Sequence, residues 1–357
     1  MKTAFVTGAT GLLGNNLVRA LVQRGVTVRA LVRSREKALK QFGSIDVDLV
    51  EGDMLDIQRF AGTLSGNDVL FHTAAFFRDA YRGVSDWGPI QQVNVEGTTN
   101  LLEAAYAAGI RKFVHTSSVA VLGVSPNGEP ADESVLRSEN DGDEYYRSKI
   151  QADQRVLAFL DKHEDAHATM ILPGWMFGPG DLGPTVAGQF ILDFVGRKVP
   201  GTIDVSYSVV DARDVAEVMI ASAEKGRRGE RYLAAGRSMS MAEIAATLSQ
   251  VTGIPAPKTR VPILMLYIMA AANEVFARVT RRPALINLAV VKNIMLERQR
   301  NGFKQDKTER ELGIHFRPVA ETFHDTFDWY RANGWLSGAG ERPQITTKLA
   351  ANHSTKS

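Results

Sequence analysis

The sequence predicts an α/β protein: a doubly wound parallel sheet with a smaller C-terminal lobe. Three observations predict it. Through the first half of the chain, short apolar runs alternate with segments whose apolar residues recur at helical spacing. The first apolar run feeds straight into a glycine-rich turn that opens a helix. After Pro173 the alternation breaks up in "PGWMFGPGDLGPT", dense in glycine and proline. With 357 residues, 44% of them hydrophobic and 23% charged, the chain has room for about two domains and a sizeable core.

Each element follows from its residues. "TAFVTG" (3–8) is a short apolar strand. "NNLVRALVQRG" (15–25) sets Leu17, Leu21 and Val22 on one helical face and stops at Gly25. "VTVRALV", "VDLVEGD" and "DVLFHTAA" give three further strands, and "RKFVHTSSVAV" (111–121) a fifth. Between the last two, "VNVEGTTNLLEAAYAAGI" carries Leu101, Leu102, Ala105 and Ala108 at helical spacing. A helix over 145–163 and the strand "ATMILPGW" continue the pattern. Residues 1–172 thus make the first domain, with 207–236 returning to its sheet. Residues 173–206 and 237–336 make the second lobe, which includes a helix capped by Ser240 and closed by Gly253. The Gly-, Thr-, Ser- and Lys-rich tail, 337–357, is expected to be disordered.

Composition excludes several chemistries. There are no cysteines, hence no disulfides, thiolate catalysis or cysteine-bound metal. The seven histidines are scattered and none forms an H-E-x-x-H pair, so no metal is expected. A net charge of +2 without a basic stripe leaves no nucleic-acid footprint; the expected partner is a small-molecule substrate. The N-terminal stretch lacks the long apolar core of a signal peptide, which points to the cytoplasm. The apolar run "PILMLYIMAAA" (262–272) ends at Asn273 and Glu274. It falls short of the roughly 20 residues a bilayer span needs and reads as a buried or groove-lining helix, with a monotopic membrane contact as the alternative.

"VTGATGLLGNNLVRAL" places Gly8, Gly11 and Gly14 between the first strand and the first helix. Glycine permits a tight turn, close approach to a pyrophosphate, and close packing of helix on strand. The helix N-terminus then presents N–H groups and a positive dipole end to phosphate. The second strand ends in "VRSREK": Arg33, Arg35 and Lys37 stand where an NAD enzyme usually has an acid for the ribose hydroxyl. A guanidinium suits a 2′-phosphate, so NADP(H) is favoured over NAD(H).

The Gly-x-x-Gly-x-x-Gly spacing resembles the extended branch of the short-chain dehydrogenase/reductase superfamily, and with it a Rossmann-like fold. In that family Asp53, at the end of "VEGDMLD", bonds the adenine amino group with Met54 beside the ring, and Thr73, Ala74 and Ala75 of "FHTAA" follow the cofactor ribose and pyrophosphate. The resemblance also assigns Thr10, Leu12, Leu13, Asn94, Thr116, Pro173, Gly174 and Met176 to the cofactor site. It makes Ser118, Tyr145 and Lys149 the catalytic set: a Ser after the fifth strand, a Tyr, and a Lys four residues on in "YYRSK". Tyr146 has Ile150 at that offset, so Tyr145 alone satisfies the pattern. Residues four apart share a helix face. A nearby ammonium is therefore expected to lower the phenol pKa below about 10, so that Tyr145 exchanges a proton with a substrate oxygen held by Ser118. Tyr145 and Lys149 also meet the cofactor.

"VVDARDVAE" and "ERELGIHFRPVAETFHDTFDWYRANG" look most like dihydroflavonol-reductase-like and 3β-hydroxysteroid-dehydrogenase-like members. "GPGDLGPT" and "KGRRGERYLAAG" also resemble bacterial proteins of that group, some labelled hopanoid-associated sugar epimerases. The expected activity is NADP(H)-dependent hydride transfer at a ketone, aldehyde or secondary alcohol. The alternative is a nucleotide-sugar epimerase or dehydratase with tightly held NAD. Those enzymes commonly carry Asn two residues after the Pro that is Pro173 here, whereas this chain has Trp175. Phe76, Phe77, Trp87, Trp175 and Phe177, with Ser118, are the candidate walls of a flat or apolar substrate site. Homodimerisation through helices near 96–108 and 145–162 is what the resemblance implies.

Overall fold

The computed structural model describes residues 1–76, 87–280, 288–298 and 300–336. The candidate substrate residue Phe77 and the tail 337–357 lie outside the described residues. The strands are β1 (Thr3–Thr7), β2 (Thr27–Val32), β3 (Asp48–Glu51), β4 (Val69–His72), β5 (Lys112–Thr116), β6 (His167–Pro173), β7 (Trp175–Phe177), β8 (Ser206–Asp211), β9 (Arg231–Ala234) and β10 (Arg237–Ser240). The helices begin with α1 (Leu12–Gln23), α2 (Arg35–Phe42), α3 (Trp87–Gln91), α4 (Gly97–Ala107), α5 (Glu144–Lys162) and α6 (Val186–Val195). They continue with α7 (Ala212–Lys225), α8 (Met241–Thr252), α9 (Ile263–Thr280), α10 (Leu288–Arg298), α11 (Asp306–Leu312) and α12 (Val319–Ala332).

Seven strands form the main sheet in the order β3-β2-β1-β4-β5-β6-β9, and every pairing is parallel. Because parallel strands need helical crossovers, both faces are covered. One face buries Leu13, Leu17 and Leu21 of α1 with Val215, Val218 and Met219 of α7. The other buries Leu101 and Leu102 of α4 with Val156 and Phe159 of α5. The fold is the Rossmann-like α/β arrangement the alternation predicts. The chain runs from β1 out to β3 on one side and resumes at β4 on the other. That reversal opens a crevice at the carboxyl ends of β1 and β4, where ligands of such sheets bind.

Residues 207–236 divide between two sheets. Helix α7 and strand β9 return to the main body, but β8 pairs with β7 (parallel) and β10 (antiparallel) in a second, three-stranded sheet. Gly174 permits this: a Cβ there would sit 2.5 Å from the Ser208 carbonyl oxygen and 2.6 Å from that of Ala235. Only a residue without a side chain lets β6 bend into β7 at this point. The second sheet joins α6, α8 and α12 in a separate core around Phe177, Ile191, Ile244 and Phe323.

Two expected elements change. The fifth strand stops at Thr116 instead of Val121, because the Ser118 side chain accepts from the Ala120 amide (3.1 Å) and turns 119–121 into a 3₁₀ segment. Helix α9 is not buried. Among its described side chains only Leu266 and Ala270 are, while Leu264, Met265, Tyr267, Ile268 and Met269 are exposed. No helix among the described residues is long and apolar enough to cross a membrane.

Candidate active site

The parallel sheet lines up its loops. Gly8 follows β1, Thr73 to Phe76 follow β4, Ser117 and Ser118 follow β5, and Gly174 follows β6, all at one edge. The glycine loop is a tight cradle. Gly8 has φ +65°, and a Cβ on it would meet the Ala74 amide nitrogen at 2.6 Å. A Cβ on Gly14 would meet the Gly8 carbonyl oxygen at 2.2 Å. Both neighbours are backbone, so no side chain can swing aside. Helix α1 starts at Leu12, after Gly11 at its N-cap, with no side-chain cap and no acid in its first turn. Its N-terminal amides therefore face the crevice at a positive dipole end, which fits the pyrophosphate of a dinucleotide. Thr10 and the exposed Gly11 rim this cradle, and Leu12 and Leu13 are buried behind it. Gly14→Ala is expected to cost about 1–3 kcal/mol of stability through overpacking and to weaken dinucleotide binding together with it. Calorimetry and a fluorescence titration of the cofactor check both.

Around the cradle, Asp53 sits past β3 and accepts from the Leu55 amide (3.0 Å), with Met54 buried beside it. Arg33 is exposed at the end of β2. Arg35 reaches the Leu49 carbonyl at 3.4 Å. Thr73 donates to the Thr7 carbonyl (2.7 Å), fixing the strand-four loop against β1. Ala74 and Ala75 leave that loop without bulk, and Ala75 is exposed.

Helix α5 carries two of the three candidate catalytic side chains, Tyr145 and Lys149. Asp143 caps it, accepting from the Tyr146 amide at 3.0 Å. The Tyr145 side chain is hydrogen-bonded to Ser118. Lys149, 3% exposed, donates to the Thr116 carbonyl at 2.8 Å. Burial pulls its pKa down from 10.5 to about 8, against the opposing field of Asp153. For Tyr145 the sequence expectation is corrected. Burial pushes the phenol above its ordinary value, and the Ser118 hydrogen bond only opposes this. The ammonium is held at the Thr116 carbonyl, and it is not among the influences on the phenol. Tyr145 is therefore a protonated acid near neutrality.

Asn94 lies in a π-helical turn, Gln92–Glu96, at the start of α4, an irregularity often found at functional sites. Its side chain accepts from the Phe76 amide (2.7 Å) and donates to Ser148 Oγ (3.0 Å), and Ser148 donates to the Tyr145 carbonyl (2.8 Å). Asn94 thus ties the strand-four loop to α5.

Several side chains that support the site carry no mark in the sequence spacing. Asp153, one turn beyond Lys149, is buried and paired with Arg231 of β9 at 2.9 Å. Its own pKa is raised, burial outweighing Arg231. In the sequence it stands only as a carboxylate four residues after the lysine. Buried His72 bridges Thr7 (2.8 Å) and Thr98 (2.9 Å), and burial, helped by Lys149, drives its pKa down to about 3. From the lobe, α10 grips the site twice. Asn293 donates to the capping Asp143 (2.7 Å), and Glu297 accepts from Tyr146 (3.3 Å). Glu297 also pairs with Arg137 (3.4 Å) and Arg300 (2.9 Å), which donate to the Leu122 and Gly123 carbonyls just after Ser118.

The aromatic candidates separate. Trp175 is half-buried among Phe177, Phe190 and Tyr207, with ring centroids 4.8 to 5.5 Å away. Phe177 is 1% exposed and packs on Phe323, so it belongs to the lobe core and offers no surface to a ligand. Phe76 is half-buried, and Trp87 lies under the Arg147 guanidinium at 4.5 Å. Met176 packs against the main core.

Comparison with known proteins agrees with this geometry. The model of the NAD-dependent epimerase/dehydratase family matches residues 4–235. The sterol demethylase protein B of Methylococcus capsulatus is 32% identical over 94% of this chain and 100% of its own. A Synechocystis protein carrying the name dihydroflavonol 4-reductase is 33% identical over 93% of this chain and 95% of its own. The crystal structure of gox2253 superposes with a TM-score of 0.79 at 32% identity, covering 94% of this chain and 99% of that one. With a glycine cradle at the switch point and a Ser-Tyr-Lys set beside it, this chain belongs to the NAD-dependent epimerase/dehydratase family.

Proposed function

We propose that the protein is an NADP(H)-dependent oxidoreductase of the short-chain dehydrogenase/reductase type, interconverting a ketone or aldehyde with an alcohol on a flat, apolar substrate. The observation that carries this reading is the Ser118–Tyr145 hydrogen bond, with Lys149 one turn on and the glycine cradle across the crevice. The bound nicotinamide supplies or accepts the hydride. The protein's own groups do the rest. Tyr145, kept protonated by burial, gives its proton to the carbonyl oxygen in reduction and recovers one in oxidation. Ser118 donates to the same oxygen and holds it in line. Lys149, anchored at Thr116 one helical turn from Tyr145, is the group that would hold the hydroxyls of the cofactor ribose.

The substrate class draws on two relatives, one named for a sterol reaction and one for a flavonoid reduction. Both substrates are flat and polycyclic. Trp175, which stands where the sugar-nucleotide enzymes commonly have Asn, and the half-buried Phe76 agree with them. The 2′-phosphate preference rests on Arg33, exposed beyond β2 with no acid beside it before Glu36. A charged hydrogen bond is worth about 1.5–3 kcal/mol. Arg33→Ala is therefore expected to cut kcat/KM for NADPH roughly 10- to 150-fold and to leave NADH nearly unchanged; Arg35→Ala follows more weakly. Steady-state kinetics with both cofactors checks this, and equal losses for both reduce Arg33 to a loop charge. Retention of NAD through purification, released by denaturing the protein and measured as NADH after enzymatic reduction, favours the epimerase reading. We also propose that two copies pair through the outer faces of α4 and α5, which light scattering reads.

A further inference from the structure

Helix α9 takes no part in the chemistry above. Leu264 is 71% exposed and Ile268 62%, and Met265, Tyr267 and Met269 are exposed beside them. Its buried contacts run along one line, Leu266 and Ala270, packed on Val291 of α10 with Ile203 and Val261 alongside. No charged residue occurs from 261 to 273. A continuous apolar patch of this kind marks an interaction surface.

Charge identifies what covers it. Residues 256–292 contain six Lys or Arg and one acid, Glu274. Lys258 and Arg260, immediately before the helix, are exposed. Basic residues also follow at 278, 281 and 282. Both ends of the helix are therefore basic in sequence. Pairing α9 with α9 of a second copy, in either direction, would set like charges together. Anionic head groups instead complement both ends at once. The apolar stretch is too short to cross a bilayer but suits a helix lying in its surface, where an aromatic such as Tyr267 has an apolar body and a polar tip to place.

We propose that α9 is an interfacial anchor that docks the protein on an anionic lipid bilayer, with Leu264, Met265, Ile268 and Met269 in the acyl boundary and Lys258 and Arg260 at the phosphates. This does not depend on the substrate reading. The full chain is tested by sedimentation with phosphatidylcholine vesicles, with and without phosphatidylglycerol. The wild type is expected to sediment with the phosphatidylglycerol vesicles and to be released by salt. Leu264→Ser with Ile268→Ser should weaken that binding by at least about tenfold while leaving the melting temperature and turnover of a water-soluble ketone unchanged, since both side chains face solvent. Lys258→Gln with Arg260→Gln should weaken binding to the anionic vesicles by about thirtyfold, on a contribution of about 1 kcal/mol per basic residue, and leave binding to the neutral vesicles unchanged. Wild type that stays in the supernatant overturns the proposal, as does a serine double variant that sediments like wild type. A dimer that the serine variant splits, without vesicle binding, overturns it in favour of a second copy.

Discussion

Tyr145→Phe is expected to lower kcat by about 10²–10⁴-fold, the usual worth of a positioned general acid or base, and to leave the cofactor dissociation constant nearly unchanged. One oxygen is removed, and with it the only proton on that ring that a substrate oxygen can receive. The hydroxyl's partner is Ser118, which is left to hold the substrate but has no proton to give at neutral pH. The ring itself keeps its edge contact with Tyr146, centroids 6.3 Å apart, so the helix stays in place. Ser118→Ala should lower kcat by less, because it removes a hydrogen bond and spares the acid. Stopped-flow measurement of reduced-cofactor consumption separates the chemical step from release. Near-normal turnover of Tyr145→Phe would sink the assignment.

Lys149→Met should abolish turnover to a similar degree and yet stabilise the cofactor-free protein at neutral pH. The lysine is buried, and its pKa falls from 10.5 to about 8. The folded state therefore binds this proton less tightly than the unfolded chain. Below pH 8 the ammonium is charged in both states and its full burial penalty is present. Between pH 8 and 10.5 the folded state loses the proton first, so stability rises with pH. Above that window the penalty is gone. At 1.36 kcal/mol per pKa unit the penalty is about 3 kcal/mol. The hydrogen bond to the Thr116 carbonyl, lost in the variant, offsets about 1 kcal/mol of it. A net gain of about 1–2 kcal/mol at pH 7 follows, shrinking toward pH 10.5. Urea unfolding of both proteins across that range measures it. A methionine variant less stable than wild type at pH 7 would mean that the contacts of Lys149 outweigh its burial.

The candidate site residues are legible as a group because each is marked by local spacing: glycines after the first strand, a serine after the fifth, a tyrosine and a lysine one helical turn apart. What holds them is not. Asp153 is four residues from Lys149, but its arginine arrives from β9, 78 positions later. Asn293 and Glu297 reach the N-terminus of α5 from the lobe, across some 150 positions, and no periodicity in either segment announces the meeting. The fold shows the same division. Apolar runs place the strands of the main sheet, whose pairing is then dictated by crossovers. The assignment of β8 to the second sheet depends on Gly174 approaching Ser208 and Ala235, a contact between distant segments. The end of β5 departs from the expectation because the β-branched Thr116, Val119 and Val121 read as strand, while the Ser118 hydroxyl captures a backbone amide and turns the chain. Helix α9 was misread because eleven apolar residues usually mean burial. Here only one narrow line of them finds a partner.

Hydride delivery to a carbonyl carbon, with the Tyr145 proton on its oxygen, is read most directly by isotope transfer. Purified protein is incubated with NADPH carrying deuterium at both C4 positions and with a panel of sterol-like and flavonoid-like ketones, and the products are weighed by mass spectrometry. The predicted result is an alcohol bearing one deuterium on the carbinol carbon, an equal amount of oxidised cofactor, and the loss of both in Tyr145→Phe. Ketones left untouched by a protein that instead retains NAD and epimerises a nucleotide sugar would contradict it.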